Sequence, residues 1–170
     1  TASLLCAGGH VTADLVHGLQ VTQQDAERIK ERFGAAYEPL VPEDDVIQLP
    51  STPGQGARSA HRRVLAHIMH MRLQEVLEYA LDEITRAGYH QRLPAGVILT
   101  GGGAQATGIV ELGREVFAMP VRVGKPGQGL AGLTDSVEAP KFAVLAGLTI
   151  YGTKQLVHGA GFGAGKRRLT

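Results

Sequence analysis

Val97-Ile98-Leu99-Thr100-Gly101-Gly102-Gly103-Ala104-Gln105 carries a continuous apolar run into three successive glycines. The uninterrupted run from Ala95 to Leu99 has the pattern of a strand covered on both faces. Beyond the glycines, Ile109, Leu112, Val116 and Phe117 recur at helical spacing, and Pro120 precedes a second apolar run at Val121 to Val123. Strand, sharp turn, helix and strand in this order make a βαβ crossover, which joins parallel strands. The fold class is therefore α/β. Glycines let a backbone approach a ligand closely and take positive φ. A helix beginning at the turn presents unpaired N–H groups and the favourable end of its dipole. A tight turn with no ligand accounts for the same three residues equally well.

Two phosphate-binding motifs fail here. Gly101, Gly103 and Ala106 fit the G-x-G-x-x-G/A pattern of dinucleotide folds. That site needs an acidic residue about 20 positions further on to hold the ribose. The next strand ends in Val123-Gly124-Lys125, and no Asp or Glu lies between Glu115 and Asp135. The G-x-x-x-x-G-K-[ST] pattern of a P-loop is absent altogether.

Upstream, a long helix is predicted from about Ser59 to Gly88. Leu65, Ile68, Met69, Leu73, Leu77, Leu81 and Ile84 recur three and four apart, with Glu75, Glu78 and Asp82 on the other side. Residues 35–58 read as exposed loop around a strand at Val46 to Leu49, with an edge hairpin. Before them, Thr22 caps a helix with Asp25 three residues on; Ala26, Ile29 and Phe33 form its stripe, and Gly34 stops it. Ala2 to Cys6 reads as a strand closed by Gly8-Gly9, and Val11, Leu15 and Val16 as a helix after it. Downstream, a Gly-rich loop runs from Gly124 to Gly132. A last helix starts near Pro140, packs through Ala143, Ala146 and Gly147, and ends at Gly152. The Gly/Ala-rich stretch from Gly159 to Gly165 reads as a disordered tail. The expected organisation is one α/β subdomain of residues 1–20 and 93–152, a smaller helical lobe of residues 21–92, and a tail of residues 153–170.

A net charge of +1 over 170 residues gives no field that points to nucleic acid or an acidic membrane. Lys166-Arg167-Arg168 is a short basic end of the kind usually solvated. The single cysteine, Cys6, excludes an intramolecular disulfide and, beside Leu4 and Leu5, reads as a buried small hydrophobe. No apolar run is long enough to span a bilayer, and no signal peptide is evident. The chain opens at Thr1 without an initiator Met, almost inside its first strand, which has the look of a fragment. His67 and His70 lie one turn apart, but no second cluster backs them as metal ligands.

Asp25-Ala26-Glu27-Arg28-Ile29-Lys30 places an acid and a base on one helix face, Glu27 and Lys30 being i and i+3. Alone, such a pair is a surface ion pair worth under about 1 kcal/mol. The glycine-turn segment, however, resembles the adenosine motif of the actin, Hsp70 and sugar-kinase superfamily. In that superfamily the turn lies against the adenine and ribose of ATP, and an acidic–basic helix pair borders the nucleoside. Within it the FtsA cell-division family is matched in order over roughly residues 1–152. The matching features are Gly8-Gly9-His10-Val11-Thr12, the Glu27–Lys30 helix, the glycine turn, Val116-Phe117, Pro120-Val121-Arg122, Gly132-Leu133-Thr134-Asp135, and Ala146-Gly147-Leu148 with Tyr151-Gly152.

The resemblance implies an actin-like, ribonuclease H-like second lobe with a smaller α+β helical subdomain. It implies ATP with Mg2+ as cofactor, with Gly101, Gly102, Gly103, Glu27 and Lys30 at the nucleoside and Gly8 and Gly9 as weaker candidates at the ribose or phosphate edge. No catalytic residue and no metal ligand is expected within this chain. The phosphate loops, the Mg-site acid and a self-association domain are expected upstream of Thr1, so that this chain alone is expected to be inactive; the sequence leaves open whether the intact protein is a weak ATPase or only holds ATP. The implied partner is the C-terminal tail of FtsZ, with Arg72 at the matching basic docking position. Its charge lies at the edge of the long helix's apolar stripe and suits a partner carboxylate. The implied location is the cytoplasmic face of the membrane at the division site, through an amphipathic anchor that residues 153–170 do not supply. A PilM-like pilus-assembly adaptor, and a small-molecule kinase or chaperone-type ATPase of the same superfamily, are the alternatives.

Overall fold

Thr22 starts the best-marked helix. In the computed structural model, which describes residues 1–50, 56–126 and 137–157, its hydroxyl accepts the Asp25 N–H at 3.2 Å and so satisfies one open donor of α2 (Gln23–Phe33). Gly34 closes that helix, its N–H bonding the Lys30 carbonyl. A Cβ at Gly34 would lie 2.3 Å from that carbonyl oxygen and 2.6 Å from Met69 Sδ, so no larger residue fits. Ahead of it runs α1 (Gly8–Leu19). After it come an antiparallel hairpin of β1 (Val46–Leu49) and β2 (Arg58–His61), in the register Val46↔His61 to Leu49↔Arg58, and then the 25-residue α3 (Arg62–Arg86).

The second half contains the crossover. β3 (Val97–Leu99) leads through a 3-10 turn at Gly102–Gln105 into α4 (Ile109–Phe117) and back to β4 (Val121–Val123). The two strands pair in parallel, with Val97 opposite Val121 and Leu99 opposite Val123. α5 (Ala143–Val157) ends the described chain.

Two of the apolar clusters hold α1 to α4 and the strands among them, and α3 runs through both. Val11, Leu15 and Leu19 of α1, Ala26 and Ile29 of α2, and Ile47 and Leu49 of β1 close around Leu65 and Met69 of α3. Further along the same helix, Leu77 packs with Ile109, Leu112 and Phe117 of α4 and with Val121 of β4. The halves are also stitched by backbone, since Ala35 bridges Thr107 and the Ala36 N–H donates to the Thr107 carbonyl at 2.7 Å.

Several expectations are corrected. Ala2 to Cys6 forms no strand, because no described strand lies beside it to take its backbone hydrogen bonds; Leu5 is 96% exposed and Cys6 only half-buried. α1 packs its Val11, Leu15 and Leu19 on α2 and α3. α3 begins at Arg62, three residues late, because Arg58 to His61 pair with β1. β3 is covered on one face only: α4 lies on that side, and Ile98 on the other is exposed. α5 does not stop at Gly152 but continues to Val157, a helical glycine costing only about 1 kcal/mol. Of its small residues only Ala146 is buried, while Val144, Leu145, Leu148 and Tyr151 face outwards. The stretches 127–136 and 158–170, with most of the glycine-rich loop, Gly132 to Asp135, the glycine/alanine tail and Lys166 to Arg168, lie outside the described residues. Among the described residues no helix is long and apolar enough to cross a membrane.

Candidate functional site

The bridge between Ala35 and Thr107 brings the end of α2 against the turn that follows β3. A cavity of about 710 Å³ opens between them. Gly8 and Gly9 from the start of α1, Glu27 and Lys30 from α2, and Gly102 and Gly103 from the turn all line it. Six of the seven expected nucleotide-site residues line this one surface. Gly101 stands just behind, at φ +90, a conformation that a side chain would strain. A Cβ added at Gly102 or Gly103 would meet nothing within 4 Å, so their backbone faces open space.

One part of the turn differs from expectation. The glycines open a 3-10 turn, and α4 starts only at Ile109 behind a left-handed Gly108. The dipole of α4 is therefore not aimed from the triplet. What the triplet offers is the first N–H groups of a helical turn, which have no partner inside it. The turn is anchored from below: the Gly101 N–H donates to the Pro140 carbonyl at 3.0 Å, and the Thr100 hydroxyl reaches Gly124 O at 3.1 Å. That anchorage carries the next residue, Lys141, onto the cavity wall.

Around Glu27 the charges are organised. Lys30 Nζ lies 2.7 Å from Glu27 Oε2 and 2.8 Å from the hydroxyl of Thr12, which itself stands 2.6 Å from Glu27 Oε2. The hydrogen bond from Lys30, and secondly that from Thr12, hold the Glu27 carboxyl below the ordinary carboxylate range, so it is ionised at neutral pH. Arg32, Arg62 and Lys141 add positive charge along the walls, and Glu31 adds one more carboxylate. Mixed charge, free backbone donors and an open glycine surface suit a polar ligand that carries both hydroxyls and negative groups.

Arg72 lies elsewhere. α3 sends Met69 and Leu73 to the cavity, and Ile68, Met71 and Arg72 to a separate groove of about 460 Å³ that Asp14, Glu75 and Glu78 also line. There the guanidinium is already engaged. Its Nε donates to Asp14 Oδ2 at 2.6 Å, Nη2 to Asp14 Oδ1 at 3.0 Å, and Nη1 to Glu75 Oε2 at 2.5 Å. The Asp14 carboxylate beside it pushes its already high pKa higher still. His67 is paired with Glu38 at 2.7 Å, and the His70 ring lies against Tyr37 with centroids 5.7 Å apart. Among the described residues no group of three or more His, Cys, Asp or Glu gathers to hold a metal ion.

A family model described as cell division protein FtsA matches residues 1–147. The chain belongs to the FtsA family. Its FtsA relatives include that of Pseudomonas aeruginosa, 37% identical over 155 residues, and that of Escherichia coli K12, 34% identical over 160. The first comparison covers 91% of this chain and 37% of the relative, the second 90% and 38%. The chain therefore spans well under half the length of the FtsA proteins it matches. In three dimensions it is similar to MreB5 of Spiroplasma citri, in structures bound to ADP and to AMPPNP. The TM-scores are 0.64 and 0.65 at 14% identity, covering 92% and 94% of this chain and 48% of the other. That likeness shows the fold: this is an actin-like α/β chain from a family of cell-division proteins.

Three residues of the cavity and the groove escaped the sequence reading. Lys141 reaches the cavity through a backbone contact that no local pattern announces. Asp14 meets Arg72 across 58 positions. Thr12 had a visible signal, a hydroxyl set within the buried face that Val11, Leu15 and Leu19 form on α1.

Proposed function

We propose that this chain forms the adenosine side of an ATP site in an FtsA-family division protein, and that the α3 groove receives the C-terminal tail of FtsZ. The observation that carries the first part is the convergence of Gly8, Gly9, Glu27, Lys30, Gly102 and Gly103 on one cavity from three separate elements. The donor set fits a nucleotide. The bare glycine backbone admits a flat ring, ionised Glu27 accepts from ribose hydroxyls, and the surrounding cations favour phosphate. ATP supplies the phosphoryl chemistry when bound; the residues here orient the nucleoside and exclude water from it. Mg2+ ligands belong to parts of the family fold that this chain does not span. The fold neighbours bound to ADP and AMPPNP carry the same class of ligand.

The second part rests on the groove beside Arg72 and its apolar floor of Ile68 and Met71. Arg72 takes a partner carboxylate by exchanging it for Asp14. In the intact protein these sites serve an adaptor that ties the FtsZ ring to the cytoplasmic face of the membrane and self-associates into actin-like filaments.

Equilibrium dialysis with labelled ATP tests the cavity reading. Saturable binding that unlabelled ATP displaces is expected, weak because contacts to the nucleoside act without phosphate loops. No saturable binding at millimolar ATP would overturn it.

A further inference from the structure

Thr12 is the one buried polar side chain among the described residues, 3% exposed. Its Oγ1 stands 2.6 Å from Glu27 Oε2, 2.8 Å from Lys30 Nζ and 3.1 Å from Gly8 O. A hydroxyl donates one proton and accepts through its lone pairs, whereas an ammonium only donates. Lys30 therefore gives a hydrogen bond to Thr12, and Thr12 gives its own proton to the carboxylate, the shorter and charge-assisted of its two acceptors. The donor count on Lys30 then closes. Its three protons go to Thr12 Oγ1, to Glu27 Oε2 at 2.7 Å and to Gly8 O at 3.3 Å. None is left for a ligand. Glu27 is in the opposite position. Oε2 receives two donors, while Oε1 has no hydrogen bond among the described residues.

We propose that Thr12 is the positioning residue of the cavity: it pins one oxygen of Glu27 so that the other is the acceptor for a nucleoside hydroxyl, and Lys30 serves to hold that arrangement and not to touch the ligand. The proposal rests on the nucleotide reading of the cavity. A β-branched side chain suits the task, since its χ1 is stiff and it is anchored on the buried face of α1. Glu27 itself cannot keep its place alone, because its side chain is 46% exposed while that of Lys30 is 17% exposed.

Thr12→Val removes the hydroxyl and keeps the shape; Thr12→Ser keeps the hydroxyl. Two observables are read for each: ATP affinity, and the carbon-13 titration of the Glu27 carboxyl in the ligand-free chain. The other charged groups on the cavity are Lys30, Glu31, Arg32, Arg62 and Lys141, and all are left in place. Thr12→Val is expected to weaken ATP binding about tenfold, the loss of one hydrogen bond to a charged group. The Glu27 midpoint should rise, because a donor to its charged form is gone. Thr12→Ser should restore both. Unchanged affinity together with an unchanged midpoint in folded Thr12→Val would overturn the proposal. If Thr12→Val does not fold, Thr12→Ala is judged on the same two readings. A parent chain that binds no ATP would overturn the nucleotide reading and the ligand half of this proposal with it. The Glu27 midpoint then still decides whether Thr12 positions the carboxylate.

Discussion

Gly102→Val separates binding from folding more cleanly than any other change at the cavity. Gly102 has no positive φ, and a Cβ there meets no atom within 4 Å. A side chain is therefore tolerated by the empty fold, and restricting the unfolded chain offsets part of any remaining cost. The change in stability should stay within about 0.5 kcal/mol. The same atoms project into the space where a nucleoside would meet backbone. Blocking that close approach should reduce affinity at least tenfold, about 1.4 kcal/mol. Gly101→Val makes the contrast. Its φ of +90 puts a non-glycine residue in a strained region at a cost of about 1–3 kcal/mol, so it should lower the unfolding midpoint as well. Urea unfolding and ATP titration on the two variants provide the assay. A folded Gly102→Val that binds ATP as well as the parent would refute the placement of the nucleoside on this turn.

Other expectations follow from the same geometry. Arg72→Glu should weaken binding of an FtsZ tail peptide by about 2–3 kcal/mol, the scale of a truncated interfacial charge, while Arg86→Glu does little. Asp14→Asn should tighten peptide binding, since Asp14 competes for the same guanidinium; equal affinity in all three by fluorescence anisotropy would place the docking site elsewhere. The folded-state pKa of Glu27 is depressed, so its pairing stabilises the fold fully above the ordinary value of 4.5 and is lost as pH falls through the folded value. Parent and Glu27→Gln should therefore differ in urea midpoint at pH 6 and converge well below pH 4.5. Leu112→Ala, at a fully buried position, should cost about 2–5 kcal/mol. Leu148→Ala on the exposed side of α5 should change stability by no more than about 0.5 kcal/mol.

What could be read before folding was local and punctuated. The crossover from Val97 to Val123 is marked by glycine, helical spacing and Pro120 within one short stretch, and it forms as expected. α2 carries its start and stop signals in Thr22 and Gly34, and both are used. Elements that depend on a distant partner were harder to read. Arg58-Ser59-Ala60-His61 has no strand pattern of its own and extends only because β1 pairs with it. Ala2 to Cys6 has the apolar run but no strand beside it among the described residues, and stays irregular. The apolar face of α1 was evident, but periodicity does not say which surface will cover it, and α2 and α3 do. The cavity divides in the same way. Glycines and an i, i+3 charge pair can be read along the chain. The arrival of Lys141 through the Pro140 carbonyl, and the hydroxyl of Thr12 beneath Glu27, exist only once the elements have packed.

The central claim is that the surface joining Gly8, Glu27, Lys30 and Gly102 is a nucleotide site. Two-dimensional amide NMR of the labelled chain, titrated with ATP to millimolar concentration, tests it residue by residue. The account predicts saturable shifts at Gly8, Gly9, Glu27, Lys30, Gly102, Gly103 and Lys141, with Arg72 and Met71 in the other groove unmoved. Shifts that do not saturate, or that gather in the Arg72 groove and leave the glycine turn untouched, would contradict it.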